Sequence, residues 1–307
     1  MKRREFIALL SSAAAWPRAA YAQYQTMQPP PPLPQPPPGQ TQPAAATADN
    51  SIGQVASLTG VATVTRVNAT PAPLHVSDPI FKNDTLDTGV NSTLGITFDD
   101  ETTFSLSADT RIVVSNFVYQ EGGSGNAASF NVATGTAAFV ASLVAKTGDM
   151  TISTPDATLG IRGTTGVVDV PAQGAAAAAP TIKLYPDADG HVGRIEVFDR
   201  QGARLGALTQ GASAFAIRLG AGGRFAAVPY QIPPQEAARD RGVLQRLNAA
   251  HNIGRRMTIE RRQLRLRNRQ NNGRGGNRFN PFNRNQRGPG QPGQFRERNG
   301  GSNKERR

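Results

Sequence analysis

Residues 60–65 read Gly-Val-Ala-Thr-Val-Thr, and successive side chains of this stretch fall on opposite sides of an extended chain. Val61, Thr63 and Thr65 share one side. This period of two, in a segment dominated by Thr and Val, predicts a β-strand. The same character extends over residues 52–67.

Short runs of similar composition follow across residues 51–230, separated by turn-forming sequences rich in Gly, Asn and Asp. They cover residues 93–98, 102–106, 111–119, 129–134, 137–144, 150–153, 181–185, 194–198, 212–219 and 224–228. Helical periodicity is absent from this region. The pattern predicts an all-β domain, built as a sandwich, a barrel or a β-solenoid. A domain of this length can bury a core without disulfides.

The N-terminus has the parts of an export signal in order. Residues 2–4 are Lys-Arg-Arg, an apolar stretch follows, and Ala20-Tyr21-Ala22 is a small-x-small cleavage site. Residues 3–7, Arg-Arg-Glu-Phe-Ile, resemble the twin-arginine signal. We therefore expect residues 1–22 to be a signal peptide. The mature chain should be periplasmic or secreted, with no transmembrane segment.

Composition also divides the rest of the chain. Residues 23–50 are rich in Pro and predict an extended linker. Apolar residues recur at helical spacing from Pro233, so residues 231–269 predict a basic helical segment. Residues 270–307 contain mainly Arg, Asn, Gly and Gln, a composition typical of disorder.

Charge is concentrated at the C-terminal end. Residues 231–307 contain 19 basic and five acidic side chains, whereas residues 23–230 contain 11 basic and 16 acidic ones. A solvated segment without a defined partner is one interpretation. The other is contact with a polyanion of the cell envelope, such as lipopolysaccharide, acidic exopolysaccharide, an anionic lipid surface or extracellular DNA. The candidate polyanion-binding residues are Arg255, Arg256, Arg261, Arg262, Arg265, Arg267 and Arg269.

The sequence offers no catalytic, cofactor-binding or metal-binding set. It contains no cysteine, which excludes disulfides, thiolate metal sites and thiol nucleophiles, and it has only three histidines. The common catalytic and nucleotide-binding motifs are also absent. Residues 99–101 and 187–190 carry oxygen ligands, but neither makes a full calcium cage, so we interpret both as turns.

Four blocks of the β region resemble the FecR domain, a periplasmic module known from ferric citrate signalling. They are residues 53–64, 83–89, 94–102 and 154–164, and the resemblance covers about residues 52–170. It implies a FecR-like β-solenoid or sandwich that acts as a binding or scaffolding unit. The cytoplasmic sigma-regulating segment and membrane helix of the full signal-relay proteins have no counterpart, so transmembrane relay is not implied.

Within the fourth block, the residues that match the family motif are Gly160, Arg162, Gly163 and Thr164. Arg162 has two interpretations: it contacts an anion or partner, or it pairs with an acid at the sheet end while Gly163 satisfies a backbone requirement. Two departures concern turns. Asn83 and Glu101 stand where the family has glycine, so we expect these turns to be built differently.

These observations predict an exported, non-enzymatic FecR-like binding or scaffolding module in the cell envelope. Its relation to signalling follows from the resemblance alone. The β domain would bind an unidentified protein or glycan, and the basic tail would contact anionic envelope polymers. Two alternatives remain open: a secreted nucleic-acid-binding protein that acts through the tail, and a carbohydrate-active protein with an unrecognised site.

Overall fold

The computed structural model describes residues 50–172, 178–220 and 222–275. All of them belong to the unit that begins at Ala46. The predicted signal peptide, nearly all of the predicted linker and residues 276–307 lie outside the described residues.

The described chain forms strands followed by a long helix. The strands are β1 (Gly53–Thr59), β2 (Ala62–Thr65), β3 (Ala72–Pro73), β4 (Pro79–Ile80), β5 (Thr85–Thr88), β6 (Thr93–Phe98), β7 (Thr103–Leu106), β8 (Arg111–Val118), β9 (Ala127–Val140), β10 (Asp149–Ser153), β11 (Thr158–Arg162), β12 (Thr165–Val170), β13 (Thr181–Tyr185), β14 (Arg194–Phe198), β15 (Arg204–Leu208), β16 (Ser213–Leu219) and β17 (Phe225–Pro229). The helices are α1 (Leu143–Thr147) and α2 (Pro234–Gly275). The predicted all-β domain followed by a helix is confirmed.

The strands form two sheets. The front sheet has the order β4-β1-β6-β7-β9-β12-β13-β16-β17. The back sheet has the order β3-β2-β5-β8-β9-β10-β11-β14-β15. All pairs are antiparallel except β9 with β10.

Strand β9 belongs to both sheets and joins them. Its first half pairs with β8 and β10, and its second half pairs with β7 and β12. Gly135, with φ of +90°, lies where the pairing changes, and a Cβ at this position would overlap Thr110. A strand that crosses from one layer to the other in this way closes the corner of a sandwich.

The core lies between the two sheets. Phe98 and Phe104 of the front sheet contact Phe130 of the back sheet, with ring centroids 5.1 and 4.6 Å apart. Phe117 of the back sheet stacks on Phe98 at 5.2 Å. These rings are almost completely buried, so they supply much of the apolar area that holds the layers together.

The two turns in which Asn83 and Glu101 replace glycine keep a left-handed backbone. Asn83 has φ of +67° and Glu101 has φ of +70°. The expectation that these turns would be built differently is therefore wrong. Asn tolerates this conformation, whereas Glu does so at a cost of about 1–2 kcal/mol. The turn around Glu101 is fixed by Asp100, whose carboxylate accepts hydrogen bonds from the amide and the hydroxyl of Thr102 at 2.9 and 2.6 Å.

Helix α2 covers the outer face of the front sheet. In β13, Ile182 and Leu184 join the core of the sandwich, while Lys183 and Tyr185 lie on the opposite face. The helix continues to Gly275, past the predicted end at residue 269 and into the segment predicted to be disordered. A basic helical segment was predicted here, but its packing on the sheet was not.

Candidate functional site

One face of α2 contacts the front sheet. Its buried residues recur at intervals of three or four, which places them on a single side of a helix. We call this set the docking row: Asp240, Val243, Leu247, Ala250, Gly254 and Thr258. Val243 and Leu247 pack against Ala138 of β9 and Val167 of β12. Only three of its six members have apolar side chains, and of the other three Asp240 makes side-chain hydrogen bonds to the sheet.

The N-terminal end of the docking row meets a buried ammonium group. Lys183 is completely buried, and its Nζ lies 2.6 Å from Asp169, 2.5 Å from Glu236 and 2.8 Å from Asp240. Asp169 belongs to the neighbouring strand β12, whereas Glu236 and Asp240 belong to α2. We call these four residues the Lys183 cluster. It ties the first two turns of the helix to the sheet.

Neighbouring hydroxyl groups also donate to the carboxylates, although Oδ1 of Asp240 is buried without a hydrogen-bond partner among the described residues. Tyr185 donates to Asp240 at 2.8 Å, and Tyr230 donates to Glu236 at 2.6 Å. Thr136 of β9 donates to Asp169 at 2.5 Å. Each carboxylate of the cluster therefore has a neutral donor in addition to Lys183, as buried carboxylates require.

The cluster stabilises the charged forms of its members. Burial alone would lower the pKa of Lys183, but Asp169 and the other carboxylates outweigh it, so the pKa is raised. Burial would raise the pKa of Glu236, but hydrogen bonds from Lys183 and Tyr230 lower it overall. Burial and the hydrogen bond to Asp240 raise the pKa of Tyr185. An ammonium held in this way is an ionic link rather than a nucleophile or a base.

An open groove of about 450 Å³ lies beside the Lys183 cluster. Asp169, Arg218, Tyr230 and Arg239 are among its lining residues. Arg239 is mostly exposed and lies 3.3 Å from Asp169, so it forms the rim of the cluster rather than its centre.

The C-terminal part of the docked helix is held by ion pairs in which the helix supplies the positive charges and the β domain supplies the negative ones. Arg255 pairs with Glu101 at 3.0 Å, and Arg261 pairs with Asp99 at 3.1 Å. Arg262 donates to the carbonyl oxygen of Asp99 at 2.5 Å. The β6–β7 turn, which the sequence presented as an incomplete calcium site, is therefore where these arginines bind.

The seven arginines predicted to contact a polyanion thus fall into three groups. Arg255, Arg261 and Arg262 contact the β domain. Arg256 and Arg267 are exposed. The side chains of Arg265 and Arg269 lie outside the described part of the structure.

His251 lies beside the docking row and is partly buried. Its Nδ1 is 3.0 Å from the Thr103 hydroxyl of β7. Burial, together with the positive charge of Arg255, lowers the pKa of His251 below its ordinary value, against the opposing effects of Glu101 and Asp187. The docked state therefore favours the neutral imidazole.

We expect docking to weaken as the pH falls. Because the pKa of His251 is lowered from 6.5 in the folded protein, stability is fully present above pH 6.5 and is lost as the pH falls toward the lowered value. His251→Gln should flatten this part of the pH dependence in urea denaturation followed by circular dichroism. Asn252→Gln, at an exposed and non-titrating neighbour on the same helix, is the control and should leave the slope unchanged. Equal slopes for the wild type and His251→Gln would contradict this assignment.

The residues of the predicted family motif lie at one end of the back sheet. Arg162 donates to the carbonyl oxygen of Gly148 at 2.8 Å and pairs with Asp149 at 3.1 Å. Gly163 has φ of +47°. The contacts are those of the second interpretation of Arg162, in which it pairs with an acid at the sheet end.

The other two motif residues support the same region. Thr164 is buried, and its hydroxyl accepts a hydrogen bond from the amide of Gly193 at 3.2 Å. Gly160 pairs with Glu196 of β14. The structure therefore places these motif residues at the junction of β11 and β12 with the β13–β14 connection, away from the Lys183 cluster.

The Lys183 cluster was not predicted from the sequence. Two signals were present. Lys183 occupies the centre of Ile-Lys-Leu in a strand, where a lysine on a covered face needs a counterion. Glu236 and Asp240 are four residues apart at the start of the helix, so they share one side of it.

A family model described as FecR protein matches residues 84–181. This stretch, about a third of the chain, is similar to the FecR domain. The predicted resemblance to the FecR domain is confirmed, although the first of the four sequence blocks, residues 53–64, lies before the matched residues. The matched residues run from just before β5 to the first residue of β13, so they begin and end later than the predicted range of 52–170.

Two crystal structures of a "putative anti-sigma factor" from Parabacteroides distasonis ATCC 8503, at 2.50 and 1.65 Å resolution, are similar to this chain. Each shows 11% sequence identity and a TM-score of 0.34, with 48% of this chain and 60% of that chain covered. That TM-score is too low to establish a common fold.

No curated protein matches the sequence. Within the described residues, none of the helices combines the length and apolar character needed to span a membrane.

Proposed function

We propose that this chain is an exported, non-enzymatic binding module of the cell envelope, related to signalling through its FecR domain. The observation that carries the proposal is the match of residues 84–181 to the FecR family, whose members are typically non-enzymatic and act through protein partners. Its site of action is the periplasm or the extracellular space. The export-signal pattern of residues 1–22 supports that location.

Export is expected to depend on the paired arginines. Replacing Arg3 and Arg4 together with lysine keeps the positive charge but removes the twin-arginine pattern, so uncleaved protein should accumulate in the cytoplasm. Cell fractionation and immunoblotting measure this. Arg18→Lys, a change in the same segment but outside the pattern, should be processed normally. Normal processing of the double variant would indicate the general secretory route instead.

We also propose that the basic C-terminal segment contacts an anionic envelope polymer. Since Arg255, Arg261 and Arg262 are engaged by the β domain, the contact is assigned to the other four predicted residues, Arg256, Arg265, Arg267 and Arg269, and to the chain after the described helix. Residues 276–307 contain eight basic and two acidic side chains. This excess of positive charge supports attraction to a polyanion.

Binding to DNA and to lipopolysaccharide should therefore weaken steeply with salt. For roughly five phosphate contacts the slope of log K against log salt concentration for DNA is about −4 to −5. A chain that ends at Gly275 keeps the docked helix and should bind at least about tenfold more weakly at low salt. Fluorescence anisotropy with residues 23–307 and 23–275 measures both. Equal binding by the two chains would rule out residues 276–307 and leave the exposed arginines of α2 as the contact. Binding of DNA but not lipopolysaccharide would favour a nucleic-acid-binding protein.

A further inference from the structure

Helix α2 covers strands of the FecR domain although it lies outside the residues that match the family. The match ends at residue 181, and α2 begins at Pro234. The helix lies mainly on β6, β7, β1 and β9, of which β6, β7 and β9 lie within residues 84–181 and β1 precedes them. The helix therefore lies outside the family match but covers a face that is built largely from family-matched strands.

The core of that module does not include the helix. Phe98, Phe104 and Phe130 pack between the two sheets, on the other side of the front sheet from α2. The helix adds a separate, small apolar cluster in which Val243 and Leu247 are the largest buried side chains. A contact with a short apolar centre and charged ends has the make-up of a protein–protein interface rather than of a domain core.

The two ends of the covered face also carry opposite charges. Lys183 lies at one end and receives the acidic start of the helix, while Asp99 and Glu101 lie at the other end and receive arginines. Between these ends the floor is made of small residues. Gly95 lies so close to Ala250 that a Cβ on it would crowd the helix. The charged ends therefore favour a helix with acidic residues at its start and arginines further along. The small residues between them require a helix that can lie close to the sheet.

We propose that the outer face of the front sheet is a helix-binding surface, which α2 occupies within its own chain, and that a helix of a protein partner displaces α2. The partner helix has two carboxylates four residues apart at its start, two large apolar residues, then small residues, then arginines. This proposal rests on the proposed binding function and names the chemistry of the partner.

The short connection between β17 and α2 determines how tightly a partner helix must bind in order to displace α2. Only Tyr230–Pro233 separate the strand from the helix, so α2 is held at an effective concentration on the order of millimolar. A free helix of equal intrinsic affinity is then a poor competitor. Cutting the linker converts α2 into an ordinary ligand that exchanges with helices in solution.

The test uses the full mature chain with a protease site in place of residues 231–233. After cleavage, a fluorescent peptide of residues 234–264 is added, and its binding is followed by anisotropy. We expect the peptide to bind the cleaved protein, and to bind the uncleaved protein at least about 100-fold more weakly because of the tethered competitor. A Leu247→Asp peptide should bind at least about 100-fold more weakly, since it places a charge at a completely buried position. A Gln245→Asp peptide has the same charge at an exposed position and should bind like the parent peptide.

Two results would overturn the proposal. One is that the cleaved helix leaves only when the strand signal in circular dichroism is also lost, which would make α2 an integral part of the fold. The other is that the Leu247→Asp and Gln245→Asp peptides bind equally. Neither result touches the export and polyanion measurements, so failure of this proposal is distinguishable from failure of the proposed function.

Discussion

Replacing Lys183 with methionine is expected to destabilise the docked state of α2 by about 3–5 kcal/mol. Methionine fills similar space but leaves Asp169, Glu236 and Asp240 facing one another without the ammonium group that all three contact. Unpaired buried carboxylates carry a large desolvation penalty. Hydrogen exchange of the α2 amides measures the effect directly, and their protection should fall by roughly two to four orders of magnitude.

The control is Lys146→Met, which removes the same charge from an exposed position and should change stability by less than about 0.5 kcal/mol. Acid should also diminish the effect of Lys183→Met, because protonated carboxyl groups no longer repel one another. A loss of equal size at pH 7 and pH 4 would show that packing, rather than charge, is what Lys183 supplies.

The fold could be predicted where it depends on local sequence. Alternation along β2 and the spacing of turn residues predicted strands close to those observed, because side chains of a strand alternate between faces whatever the partner strand is. Pairing could not be predicted in the same way. The crossing of β9 between the sheets depends on contacts such as that of Gly135 with Thr110, which are distant in sequence.

The candidate site was missed for a related reason. Lys183 and Asp240 are 57 residues apart, and the periodicity of either segment alone does not reveal their contact. The helix could be predicted from its spacing, but its docking could not, because its apolar face is narrow. A stronger signal was the apolar and small character of β6, all of whose residues except Thr93 are buried, since a strand covered on both faces requires a second layer.

Charge in the sequence likewise did not distinguish engaged arginines from free ones. Arg255 and Arg256 are adjacent and chemically identical, yet Arg255 pairs with Glu101 whereas Arg256 is exposed. Neighbours on a helix point about 100° apart, so a run of arginines is divided between the docked face and the solvent. The net charge of a segment therefore predicts that the segment is attracted to polyanions. It does not predict which of its arginines are free to contact them.

Gly254→Leu is expected to destabilise docking by about 3 kcal/mol. Helix propensity alone identifies Gly254 as a weak point of α2. In the structure it lies at the closest approach of the helix to the sheet, where any Cβ would overlap the side chain of Thr97. Thr97 is itself completely buried and shares a hydrogen bond with Thr103 at 3.1 Å, so it has little freedom to move aside. Hydrogen exchange of α2 and limited trypsin digestion at its arginines should both report the released helix.

The same helix contains a matched glycine that separates packing from propensity. A Cβ at Gly242 would meet only the end of the Arg246 side chain at 3.8 Å. Gly242→Ala should therefore stabilise the helix by about 0.5–1 kcal/mol, as replacement of a helical glycine does when space is available. Gly254→Ala makes the same gain in propensity but must displace Thr97, so its net effect should have the opposite sign. If both alanine variants stabilise the protein, the helix lies farther from the sheet than the contact of Gly254 with Thr97 requires, and the small-residue floor loses its role in selecting the helix that binds there.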